Sequence, residues 1–140
     1  MFLNSIVNSG AGEKSSPEAS KIRTTNIVAL FTCLIAWLYA MFFLIAIEQP
    51  YLAGVNLLFV VCYAIGILFS RFYFIQTAKV WFFVVLMAHL FLLTTYIFTP
   101  DTGFHFYYLL VPSGVFLMFN HNEHTAKFTL CLLSLMLFFF

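Results

Sequence analysis

Six polar side chains stand apart in an otherwise greasy chain: Asn56, His89, Tyr96, Asp101, His105 and Tyr107. Two imidazoles, a carboxylate, an amide and two phenols offer proton exchange and directional hydrogen bonding, and an ionisable group inside an apolar span is costly enough to mark an interhelical or functional contact. His89 and Tyr96 are seven residues apart. Steps of three and four through Leu92 or Leu93 put both on one helical face. Asp101 or Thr102 can cap a following helix, which Gly103 lets the chain enter tightly. His105, Tyr107 and Tyr108 then fall in its first turns, and Pro112 further along removes a backbone hydrogen bond and bends the helix. Apolar walls with a few convergent polar groups are the usual make-up of a small-molecule site. The functional reading is therefore a pocket for a small lipophilic ligand built from these residues. The plainer reading makes Asn56 and Tyr96 interhelical partners or interfacial aromatics, with membrane hydrogen bonds worth about 0.6–2 kcal/mol, and makes Asp101 a helix cap.

Other chemistries lack their residues. His121, Glu123 and His124 in "HNEH" have no distant third ligand, so no metal site is expected. A bis-histidine haem needs two histidines at similar depth, and His89 is central in its span while His105 is peripheral. No cofactor is expected. Cys33, Cys62 and Cys131 lie singly in apolar runs, without metal-ligand or disulfide spacing. Neither a nucleophile elbow nor a phosphate-binding glycine loop occurs, and no basic, aromatic-interleaved stretch suits nucleic acid.

The composition dictates the elements that must carry these groups. With 64% hydrophobic and 8% charged residues, against about 25% charged in a soluble domain, the chain needs lipid as its solvent. Apolar runs at 26–47, 51–70, 80–98 and 104–119 predict four transmembrane helices. A run at 128–140 predicts an incomplete fifth, because its reach of about 20 Å falls short of a hydrocarbon core of about 30 Å; this points to the front part of a longer protein. The fold expected is an all-α membrane protein, with a polar segment at 1–25, flexible at its middle, and a bundle at 26–140. Lys14, Lys21, Arg23, Arg71, Lys79 and Lys127 fall on one side if the spans alternate, which puts the N-terminus in the cytoplasm and the Asp101 loop outside.

"KIRTTNIVALFTCLIAWLYAMFF", "RFYFIQTAK" and "GFHFYYLLVPSGVFLMFN" resemble the N-terminal membrane-sensor region of multi-span bacterial nucleotide cyclases, most often GGDEF diguanylate cyclases and sometimes class III adenylate cyclases. Arg23, Thr25 and Asn26 before the first span, and Gly103 to Tyr108 with Pro112 after them, carry the likeness. The resemblance implies a multi-pass protein of the bacterial inner membrane that senses a small lipophilic cue and sets the geometry of a cytoplasmic catalytic homodimer. These residues contain no GGDEF sequence and no catalytic motif. Two other readings stay open: a complete small membrane protein with a structural or accessory role, and a transporter fragment, which the absence of intramembrane carboxylates disfavours.

Overall fold

The structure, a computed structural model, describes residues 2–11, 17–98 and 102–139. All regular elements among them are helical: α1 (Phe2–Val7), α2 (Pro17–Ile45), α3 (Pro50–Arg71), α4 (Ile75–Leu92) continued by a π-helical turn (Leu93–Ile97), a 3-10 helix (Phe104–Leu110), α5 (Val111–Met118) and α6 (His124–Phe139). Three helical stretches, Ala19–Ile45, Pro50–Arg71 and Ile75–Ile97, are long and apolar enough to cross a membrane. The chain divides into two compact units, Met1–Ala78 and Lys79–Phe140.

The first unit is built on the α2–α3 pair. Ala29, Ala36 and Ala40 are buried along α2, and Ala53, Asn56, Phe59, Tyr63, Gly66 and Ser70 along α3. Alanines on α2 let the helices approach closely, while the aromatic rings of α3 fill the space beside them. The Cys33 thiol donates to the Val60 carbonyl at 3.3 Å, a direct tie across the seam. Two polar groups on these helices fold back on their own backbone. The Thr32 hydroxyl donates to the Val28 carbonyl and the Asn56 amide to the Leu52 carbonyl. Only 22 to 33% of each long stretch is buried, so the outer faces, with Phe31, Leu38, Phe42, Leu58 and Val61 exposed, are left for lipid.

The polar N-terminal segment contains structure. The Asn26 amide is buried and donates to the carbonyls of Val7 and Ser9 at 3.2 and 2.9 Å, which supplies partners for carbonyls at and just past the end of α1. Gly10 has φ +76°, and a Cβ there would collide with the Ser70 backbone. The close approach of this segment to the end of α3 thus needs glycine for two reasons. The middle of the segment, 12–16, lies outside the described residues. Helix α2 then runs unbroken from Pro17 past residue 25.

In the second unit the helices are shorter and less regular. The expected span at 104–119 is two pieces, a 3-10 stretch and then α5. Pro112 stands in the first turn of α5 and not in the middle of a continuous helix, a place where a missing N–H costs little. Helix α6 starts at His124 and has 16 residues, longer than the apolar run beginning at 128, because the polar "HTAK" forms its first turn.

Candidate functional site

The second unit has two polar locks, one near each end of α4, and the sequence reading anticipated neither. At the first end, Lys79 is 1% exposed. Its Nζ lies 3.1 and 3.4 Å from the two carboxylate oxygens of Glu123 and 5.4 Å from the centre of the Phe119 ring. Glu123 immediately precedes α6, accepts from the Asn120 N–H through its carboxylate, and accepts from the Lys127 N–H through its carbonyl. Phe119 also packs against Phe83, and a Cβ at Gly114 would press on Phe83 at 3.2 Å, so α4 and α5 meet closely here. A buried lysine is tolerable only with such a partner.

At the other end, α4 changes its hydrogen bonding. The Phe98 N–H donates to the Leu93 carbonyl, five residues back, and the Thr94 hydroxyl occupies the Leu90 and Phe91 carbonyls at 2.9 and 3.2 Å. Such π turns recur at functional positions. The π turn packs against the 3-10 helix, which Gly103 opens at φ +73°. Tyr108 is buried at this contact; its hydroxyl approaches Thr94 without reaching hydrogen-bond geometry, and its carbonyl accepts from the Ser134 hydroxyl of α6 at 2.5 Å. On the opposite face of the 3-10 helix, Thr102, Gly103, Phe106, Tyr107 and Leu110 line an open groove of about 350 Å³. His105 is half-buried beside it, its ring centre 4.3 Å from Phe106 and 5.7 Å from Phe138 of α6.

Tyr107 is therefore in the groove and His105 next to it. His89 is buried at 6% exposure in α4, whereas Tyr96 is 74% exposed. The π turn explains the separation, since its wider hydrogen-bond loop shifts the register that would have stacked Tyr96 over His89. Asn56 belongs to the first unit and donates to its own helix. Asp101 lies outside the described residues. His121 and His124 contact edge-to-face with ring centres 4.8 Å apart, but Glu123 is turned to Lys79, and among the described residues no group of three metal-ligating side chains forms.

The second unit thus presents an open groove beside two irregular helical segments, and the described residues hold no assembled nucleophile and base. Neither the curated proteins nor the solved structures yield a match to this chain. The family model named MASE7 matches residues 13–139, nearly the whole of it, so the chain belongs to this family of membrane-associated sensor domains.

Proposed function

We propose that this sensor domain is the multi-pass input of a bacterial inner-membrane signalling protein, that it takes a small lipophilic ligand in the groove beside His105, and that it regulates a nucleotide cyclase. A diguanylate cyclase is the first choice of output and a class III adenylate cyclase the second, as the resemblance implies. The observation that carries the ligand site is the meeting of two non-α segments, Leu93–Ile97 and Phe104–Leu110, beside an open groove whose lining is apolar and aromatic with a few hydroxyls. Irregular backbone at membrane depth is tolerated where it lines a cavity.

The reading includes four crossing segments and a cytoplasmic N-terminus, which helix lengths and the charge pattern support. A 3-10 helix rises about 2.0 Å per residue, so residues 104–118 reach about 26 Å, where the same stretch of α-helix would reach about 22 Å. That brings a short apolar run close to the thickness of a bilayer core, about 30 Å. All six basic residues then share the cytoplasmic side. Signalling is a population shift: the ligand changes output only by its difference in affinity for two packings, typically about 1–3 kcal/mol, and a dimer of the whole protein carries that change to paired catalytic domains.

Two measurements test this. Reading the gene past codon 140 should reveal a cyclase domain in frame; a transporter-like run of further spans would remove the cyclase output. In the intact protein, His105→Ala and Tyr107→Ala should lower the response of cyclic-nucleotide output to lipid extract by about tenfold. An unchanged response in both variants would remove the groove as the ligand site.

A further inference from the structure

The Lys79–Glu123 pair spans 44 positions in the chain, and its surroundings contain an alternative partner. Lys127 lies four residues after Glu123, one turn along the same face of α6. Its ammonium presently rests 5.9 Å from the centre of the Phe116 ring on α5. Glu123 is thus paired with Lys79 on α4, while the four-residue spacing puts Lys127 of α6 within reach of it by a change of side-chain rotamer. A second point holds α6 further along, where the Ser134 hydroxyl donates to the Tyr108 carbonyl. The two points are eleven residues apart in sequence, or about 16 Å along a helix.

We infer that Glu123 exchanges between Lys79 and Lys127, and that this exchange is a latch: when it opens, the start of α6 leaves α4 while the helix pivots about Ser134 and Tyr108. Both states keep Glu123 paired, and the departure of α6 opens Lys79, near the start of α4, to water, so that neither charge is left alone in a buried site. The Phe119 ring face retains some attraction for the Lys79 ammonium in the open state. The Asn120 N–H holds the same carboxylate in place as the partner changes. Nearby His121 and His124 are exposed, and the exchange needs no change in their charge. This latch stands whether or not the groove is the ligand site and whatever the output domain is.

The test uses the full chain in lipid nanodiscs, with Cys33, Cys62 and Cys131 replaced by serine and spin labels placed on Val84→Cys and Thr125→Cys, exposed positions on α4 and α6. A second label pair, Leu109→Cys with Leu135→Cys, reports on the pivot. Lys79→Met should move the latch pair from a minor longer distance, below about 10% of molecules, to a majority. Adding Lys127→Gln should return most molecules to the short distance, since the open state then loses its ion pair. Glu123→Gln should give a mixture, and the pivot pair should not change in any variant. An unaltered latch distance in Lys79→Met would overturn the inference, as would an open population insensitive to Lys127→Gln. Loss of both distances together in Lys79→Met and Glu123→Gln would reduce the pair to a structural staple and overturn it equally.

Discussion

The two units solve the problem of polar groups in lipid in opposite ways. In Met1–Ala78 several polar side chains on the long helices bond to their own backbone: Thr25 to Lys21, Thr32 to Val28 and Asn56 to Leu52. Small residues then bring α2 and α3 together along their length. In Lys79–Phe140 the helices are interrupted by a π turn and a 3-10 stretch, and single polar contacts between distant segments hold them, Lys79 to Glu123 and Ser134 to Tyr108. A seam of many small contacts resists change continuously. Two discrete locks can be opened one at a time, and a bistable element of that kind is what a sensor requires.

The contrast can be broken first at the seam. Ala36 has no exposed surface, so Ala36→Phe should force α2 from α3 and lower stability against denaturant in micelles by about 3 kcal/mol; a loss below 1 kcal/mol would mean the seam is loosely packed. Lys79→Met should cost less, about 2 kcal/mol, since Glu123 keeps some access to water, and the loss should fall on the second unit when unfolding is followed by labels in each. Asn26→Ala should cost about 1 kcal/mol or more, read as earlier protease cutting of residues 2–11 with the spans intact. Ser134→Ala should cost about 1 kcal/mol and loosen the pivot label pair, because the Tyr108 carbonyl keeps its bond from the Val111 N–H. The smallest effect is expected at Tyr96, which is 74% exposed: Tyr96→Phe should stay within about 0.5 kcal/mol of the parent and leave the ligand response intact.

The long helices were legible because an apolar run long enough to span lipid admits little else than a helix, and α2, α3 and α4 follow the runs anticipated for them. The ends and irregularities were not. A π turn leaves no mark on composition, so Tyr96 was placed on the face of His89 from α-helical spacing alone. The 3-10 stretch at Phe104–Leu110 depends on how the chain leaves Gly103 and meets the π turn, a tertiary matter. The first turn of α6 was hidden by its polarity. Lys79 and Glu123 were each legible as charges flanking spans, but only the fold brings them together. Asn26 was noted for likeness to a family, whereas its physical task is to bind carbonyls at and just past the end of α1. His105 and Tyr107 were expected in a pocket from the aromatic run; the fold puts Tyr107 on the lining of a groove with Thr102, Phe106 and Leu110, and His105 beside Phe106.

The central claim is that the helices of the second unit open more readily than the α2–α3 pair of the first. Residue-resolved hydrogen–deuterium exchange in nanodiscs tests it most directly. Amides of Leu93–Ile97 and Phe104–Leu110 should exchange at least about tenfold faster than those in the middle of α2 and α3, consistent with local opening of a less stable region. Equal protection of both units would contradict the account.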